Sequence, residues 1–410
     1  MICRREFVRN GALALAALNL PRLGAAESGS PEIEAKLREE VLALFDKVNP
    51  RDPATGRRKY VSFGVMSDIH KCKRIAGDDD PENPKKDYWY YWGAVLTDAE
   101  PSIRLLGSIA KDAEFDAILH AGDFSTANPT VAFAPGDYVA EIRNVKAMFD
   151  RYVPDVPFFT VDGNHDRNYW TARVKAGNII SDAEWAKVLA EVNTDVSKNP
   201  DVDLTYHRDL PHPSTGDATG AYSGNSYTLD FKRCLKTGGA NVRLVCISLY
   251  DKCPGAAPEL RAADGCRFDD PETKRPLDSA KTPENTVVGF MAHDIVDPFA
   301  SAARAYLDAN PKGRVFGSIV GHKHYAFSIP MATKKAKVKA RAIGITNCNC
   351  RHGVQSREAY KFALLVVDTD KGKLHVIQLA GGDKKNPKYP NRKLRPNTPR
   401  LQSWDMDLPS

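Results

Sequence analysis

Five short apolar runs in this chain each stop at a group that carries oxygen or imidazole. Residues 61–66 lead to Asp68 and His70, residues 115–119 to Gly122-Asp123, and residues 156–161 to Gly163-Asn164-His165-Asp166. Residues 287–291 lead to His293, and residues 315–320 to Gly321-His322-Lys323-His324. The runs are brief, β-branched or aromatic, and bounded by turn formers, so they predict strands rather than helix fragments. A carboxylate inside such a run would lose its hydration at a cost on the order of several kcal/mol unless paired, whereas at the strand end it can face a cleft. Ligands of open α/β sheets gather beyond the carboxyl ends of strands. A single Asp or His there is ordinarily a turn residue or a cap. Five such groups of one chemistry in one relative position point to a shared site, and hard donors at strand ends are what a two-metal hydrolase needs.

The beginning of the chain reads as an export segment. Arg4 and Arg5 sit in a basic start, residues 11–20 are apolar, and Leu23-Gly24-Ala25-Ala26 offers small residues for cleavage, which defines a signal peptide over residues 1–26. The apolar stretch is too short and too weakly apolar to stay in a bilayer as an anchor. Arg4-Arg5-Glu6-Phe7 resembles a twin-arginine signal, with an ordinary Sec signal or an uncleaved amphipathic start as the other readings. The twin-arginine reading implies the Tat translocation machinery as a partner, folding and metal loading before export, a periplasmic or secreted destination, and no transmembrane anchor after processing.

Cleavage there would remove four arginines and one glutamate, lowering the formal charge from +6 to about +3. Much of the remaining positive charge lies between Lys384 and Arg400, which contains no acidic residue. Such a segment can meet an anionic surface, but a solvated, proline-spaced strap is its commoner role, and no nucleic-acid module accompanies it. Seven cysteines follow the signal: Cys72, Cys234, Cys246, Cys253, Cys266, Cys348 and Cys350. In an oxidising compartment Cys253 and Cys266 could close the loop between them, although sequence does not fix the connectivity.

Candidate ligands scattered from Asp68 to His324 must converge, so one domain over residues 60–380 is expected after a helical lead-in at 27–59. Residues 31–49, 137–153, 181–192 and 301–310 have helical periodicity, the last as a crossover helix. Residues 227–231 and 242–249 read as antiparallel strands, and 362–367 with 374–379 as a hairpin around Asp-Lys-Gly. Residues 71–92 form an insertion with an aromatic end, residues 251–286 a surface loop, and residues 381–410 a basic, proline-containing tail.

Taken in order, Asp68-x-His70, Gly122-Asp123, Gly163-Asn164-His165-Asp166, His293 and Gly321-His322-x-His324 resemble the calcineurin-like metallophosphoesterase family over roughly residues 60–380. The resemblance implies an α/β fold, a four-layer sandwich of two mixed β-sheets flanked by helices. It implies a dinuclear centre of divalent or mixed-valence Mn, Fe or Zn. One metal would take Asp68, His70 and His324, the other Asn164, His293 and His322, with Asp123 bridging. His165 would donate a proton to the leaving group, and Asp166 would orient its ring. The i, i+2 spacing of Asp68 with His70, and of His322 with His324, would put each pair on one side of an extended backbone.

The chain departs from the family pattern in two places. Gly122-Asp123 is followed by Phe124-Ser125-Thr126, which lacks the further aspartate often seen there and the tyrosine of purple acid phosphatases. His293 lacks a proline-containing context, leaving His207 and His212 as rival ligands; Arg167 and His352 are further neighbours without a firm role. The expected activity is hydrolysis of a phosphate-ester substrate. A phosphodiesterase acting on cyclic nucleotides or glycerophosphodiesters is the alternative among enzymes, and a non-catalytic envelope binding protein the alternative outside them.

Overall fold

The computed structural model describes residues 31–70, 96–125, 135–166, 180, 182–206, 225–248, 285–294, 298–323, 326–332, 337–345, 360–379 and 398–408. The export segment, the 71–92 insertion, the loop from 251 to 284, the basic stretch from 381 to 397, Arg167, His207, His212, His324 and His352 lie outside these residues.

Continuous apolar runs need cover on both faces, and the architecture supplies it by stacking two sheets and placing helices outside them. In chain order the elements of the first half are α1 (Pro31–Val48), β1 (Val61–Met66), α2 (Leu96–Ala113), β2 (Ala117–His120), α3 (Pro135–Tyr152), β3 (Phe158–Thr160), α4 (Asp182–Val192), β4 (Val202–Tyr206) and β5 (Tyr227–Phe231). After a 3-10 turn at Arg233–Thr237 come β6 (Asn241–Cys246), β7 (Thr286–Ala292), α5 (Pro298–Ala309), β8 (Arg314–Val320), β9 (Phe327–Ala332), β10 (Lys337–Gly344), β11 (Phe362–Asp368), β12 (Lys373–Leu379) and β13 (Arg400–Asp405).

The first sheet has the order β13-β12-β11-β1-β2-β3, and the second β4-β5-β6-β7-β8-β10-β9. Parallel pairs β1–β2 and β2–β3 sit beside antiparallel β11–β12 and β12–β13. In the second sheet β6, β7, β8 and β10 run parallel, with antiparallel strands at either side. Both sheets are therefore mixed, as the family resemblance implies.

Between them lies a layer built from Phe63, Val65, Leu119 and Phe159 of the first sheet against Tyr227, Phe231, Leu244 and Met291 of the second. The rings of Phe63 and Phe231 meet edge to face at 4.9 Å. Helices α1 to α4 cover the outside of the first sheet; in α1 the buried residues Leu37, Val41, Phe45 and Val48 recur at helical spacing. Helix α5 covers the second, with Phe299 stacked on Phe290 at 4.8 Å.

Three features differ from the sequence reading. Helix α2 has no counterpart in the sequence reading, and Pro101, a residue that ordinarily interrupts a helix, stands inside it. Strands β9 and β10 carry Pro330, Lys337, Lys339 and Arg341, which mask the strand pattern; Pro330 is tolerated because β9 is an edge. Residues 400–405, assigned to the tail, form an edge strand on β12, and Asp407 pairs with Val315 of the other sheet.

Candidate metal centre

The polar groups that end β1, β2, β3, β7 and β8 meet at one seam between the sheets. Past β1, the Asp68 N–H donates to the Gly122 carbonyl at 2.9 Å and the His70 N–H to the Asp123 carbonyl at 3.0 Å, which joins the first two loops. The Gly321 N–H donates to the His293 carbonyl at 2.9 Å and joins the last two. Asp68 then spans the sheets, its carboxylate accepting the Ser67 hydroxyl and the His322 N–H at 3.0 to 3.1 Å.

Local backbone geometry differs from expectation. Asp68 (φ 53°), His70 (φ 50°), Asp123 (φ 59°) and His322 (φ 61°) all adopt left-handed conformations, as do only two other non-glycine residues among those described. Asp68 and His70 thus reach the site from tight left-handed bends rather than along an extended strand. Such conformations are uncommon for side-chain-bearing residues and collect where the surroundings enforce them, often at functional sites.

Asp123 stands at the middle of the constellation. Its Oδ1 accepts the His165 N–H at 2.8 Å, while Oδ2 lies 2.9 Å from His293 Nε2 and 3.6 Å from His70 Nε2. Asn164 Oδ1 lies 3.1 Å from His293 Nε2 and 3.0 Å from His322 Nδ1, and those two nitrogens are 3.3 Å apart. Two clusters result, His70–Asp123–His165 and Asp123–His293–His322, each with its donor atoms within 4.8 Å of one another. They share Asp123, and every member is buried except His322, whose side chain is 33% exposed.

The chemistry of these donors fits a bound cation. His293 Nδ1 is 2.7 Å from the Ala121 carbonyl, which can only accept, so that nitrogen carries the hydrogen. Neutral His293 would then turn a lone pair at Nε2 toward the Asp123 carboxylate, the Asn164 amide oxygen and His322. Acceptors crowded at such distances require a proton or a metal among them.

The proton affinities carry the same message. Burial opposes charge on His293, but Asp123, by charge and hydrogen bond, and Asp68, by charge, push its pKa up to about 10. Burial also opposes ionisation of Asp123, yet His293 and His165 hold it well below the usual carboxylate range. His322 is lowered, by burial first and by the charge of His293 next.

Glycines make room for this packing. A Cβ on Gly163 would lie 2.0 Å from Asp123 Oδ1, and one on Gly321 would lie 2.0 Å from the Ser67 hydroxyl and 2.7 Å from Asp68 Oδ2.

The Asp166 carboxylate, expected to orient the His165 ring, accepts backbone N–H groups of Asp123 (2.8 Å), Phe124 (2.7 Å), Ser125 (3.1 Å) and Gly163 (2.9 Å). It fixes the Asp123 loop. Burial and the charge of Asp123 push its pKa up to about 8 against those donors. His165 stands edge to face with His70 at 4.7 Å.

Sequence reasoning passed over Ser67, Asp162 and Asp294. Ser67 adjoins Asp68 and was legible as its neighbour. Asp294 lies 3.6 Å from His322 Nε2 and 3.1 Å from Lys323 Nζ, a pairing visible only in space. Cys234 and Cys246 are free and buried, and burial raises both thiols, that of Cys246 beyond the usual range, so neither is poised for reaction. Among the described residues no helix is long and apolar enough to cross a membrane.

Two helix-flanked mixed sheets, with His and Asp clusters sharing one carboxylate at their strand ends, define a metallophosphoesterase-type enzyme fold. Residues 61–236 match the family model described as calcineurin-like phosphoesterase. The matched span ends in the 3-10 turn after β5, and His293 and His322 lie beyond it. No curated protein matches the chain.

Among solved structures, a dimetal phosphatase from Danio rerio is 12% identical, with 85% of this chain and 99% of that one covered and a TM-score of 0.44. The sulfate thiohydrolase SoxB of Thermus thermophilus is 12% identical over 84% of this chain and 56% of its own, with a TM-score of 0.34. Vps29 of Chaetomium thermophilum is 9% identical over 85% and 96%, with a TM-score of 0.24.

Proposed function

We propose that this protein hydrolyses phosphate esters with water at a dinuclear metal centre, a reading carried by one observation: Asp123 belongs to both donor clusters. In this assignment Asp68, His70 and His324 hold one cation, Asn164, His293 and His322 the other, and Asp123 lies between them. Imidazole, carboxylate and amide oxygen suit Mn, Fe or Zn, and no thiolate is assigned that would favour a softer site. Two such cations supply Lewis acidity toward the phosphoryl oxygens and lower the pKa of water.

The chain's own residues do the rest. Asn164 contributes an oxygen without adding charge to an anionic centre. Asp166 keeps the Asp123 loop rigid through backbone N–H groups. His165 delivers a proton to the leaving alkoxide as water attacks phosphorus in line and the ester P–O bond breaks. The position of His165 within the His70–Asp123 cluster supports a second role, as a ligand. Residues 1–26 direct export through the twin-arginine route, so the enzyme works in the periplasm or outside the cell.

Protein reconstituted with Mn²⁺ and assayed on mono- and bis-nitrophenyl phosphate tests the reaction and separates monoesterase from diesterase. Absence of turnover on both, and on a broad phosphate-ester panel, would overturn the hydrolase reading in favour of a binding protein. His165→Ala is expected to lower turnover with both metals retained; loss of one metal would make His165 a ligand.

A further inference from the structure

The donor groups come from two sheets, so their spacing depends on how the sheets are held together at this end. Asp162 lies at that seam, one residue before Gly163-Asn164, and is fully buried. A buried carboxylate is retained only where donors meet it. Ser248, two residues past β6 in the other sheet and itself buried, donates its hydroxyl to Asp162 Oδ2 at 2.6 Å. Its backbone N–H donates in turn to the Ser226 hydroxyl at 3.1 Å, at the start of β5. Beside this bond the Tyr227 hydroxyl donates to the Thr160 carbonyl at 2.6 Å, joining β5 to the end of β3.

The path from this tie to the donors is short on both sides. On the first sheet it runs from Asp162 through Gly163 to Asn164. On the second, Ser248 follows Ile247, whose N–H donates to the Met291 carbonyl at 2.9 Å, two residues before His293. Asn164 and His293 then meet at 3.1 Å, closing a ring of covalent and hydrogen-bonded links around the seam. A small slide of one sheet past the other would open the Asn164–His293–His322 cluster, two of whose three donors follow strands of the second sheet, whereas His70, Asp123 and His165 all follow strands of the first and only His324 among the ligands assigned to that cation follows the second.

We propose that Asp162, acting through Ser248, is a positioning residue that holds the cluster of Asn164, His293 and His322 in register with Asp123; this rests on the dinuclear reading given above. Removing the tie weakens one cation site selectively. A merely structural role would lower stability and affect both sites together.

The test uses the full chain, stripped with chelator and titrated with Mn²⁺ by calorimetry and electron paramagnetic resonance, with thermal melting in parallel. In Asp162→Ala and the milder Ser248→Ala, one Mn²⁺ equivalent is expected to weaken by roughly 10- to 100-fold, the usual range for groups that orient metal ligands, while the other stays within about threefold. The spectrum of two coupled Mn²⁺ ions should give way to that of an isolated ion at sub-saturating metal. Asp162→Asn, which still offers an oxygen to Ser248, should restore both sites.

Arg233→Ala serves as the control, because Arg233 links the sheets at the opposite end through Asp116 at 2.8 Å and the Tyr60 carbonyl at 2.9 Å. It should lower the melting temperature without changing the ratio of the two affinities. Unchanged affinities in Ser248→Ala and Asp162→Ala, or equal weakening of both sites, would overturn the positioning role alone. Wild-type protein that binds fewer than two Mn²⁺ would overturn the dinuclear reading and this proposal with it.

Discussion

A carboxylate 2.9 Å from one imidazole and 3.6 Å from another is fully buried at Asp123, and its charge is what makes the arrangement tolerable without solvent. Replacement by asparagine keeps the shape and an oxygen to accept the His165 N–H, but removes the charge that draws cations to both clusters. Turnover in Asp123→Asn is expected to fall by about 100- to 1000-fold or more, the scale found when one electrostatic group at a reacting centre is removed. Metal analysis should show fewer than two equivalents, and full activity would exclude the bridging assignment. Gly163→Ala tests the same point sterically. Its methyl would lie 2.0 Å from Asp123 Oδ1 and 2.3 Å from the Asp123 nitrogen, so the Asp123 loop must move. Metal content and turnover should drop together, and a variant with both intact would show that the loop has slack the packing does not reveal.

Strands and helices set where these side chains arrive, and one buried polar clamp between elements lies at the opposite end of the strands from the donors. Arg233, in the turn after β5, is buried and donates to both oxygens of Asp116, at 2.8 and 3.0 Å, and to the Tyr60 carbonyl at 2.9 Å. Arg233→Ala leaves Asp116 buried with one remaining donor, the Ser62 N–H at 2.9 Å, and should cost about 3–5 kcal/mol. Urea titration would read this as a lower midpoint at unchanged slope, and a shift below about 1 kcal/mol would mean that water reaches the carboxylate. The strands that carry donors were legible in sequence because they are buried on both faces and read as apolar blocks. Several at or near an edge were not, although β3, β5 and β12 were. β9, β10 and β13 alternate or carry Lys, Arg and Pro, so tertiary pairing decides their state. At the site, the identity of Asp68, Asp123, Asn164, His293 and His322 as neighbours was legible from motif order. Sequence did not show the left-handed bends at Asp68 and His70 or the engagement of Asp166 by backbone, because both depend on how loops from different strands close on each other. Asp162 escaped notice for the same reason, its partner Ser248 lying far along the chain.

At the scale of the whole molecule the donors sit where two sheets meet, so occupancy of the site and cohesion of the fold are thermodynamically linked. Without metal, the Asp123 and Asp68 charges are met by a proton on His293, which keeps it up to about pH 10 in the folded protein. An unfolded histidine releases its proton near about 6.5. A group whose pKa is raised on folding contributes stability that is fully present below the unfolded value and is lost as pH rises through the folded one. Metal-free protein should therefore lose stability progressively from about pH 7 to 10, over the window opened by His293. A divalent cation takes over the proton's task and displaces it. Adding Mn²⁺ to chelator-stripped protein at pH 8 should release protons, measurable in calorimetry as a binding heat that changes with the ionisation enthalpy of the buffer. Affinity should rise with pH over the range in which the proton competes, and bound Mn²⁺ should flatten the alkaline decline of the melting temperature. A binding heat independent of buffer at pH 8, with metal-free protein equally stable at pH 7 and 10, would show that His293 is neutral in the folded state and that the anionic centre is balanced by another group.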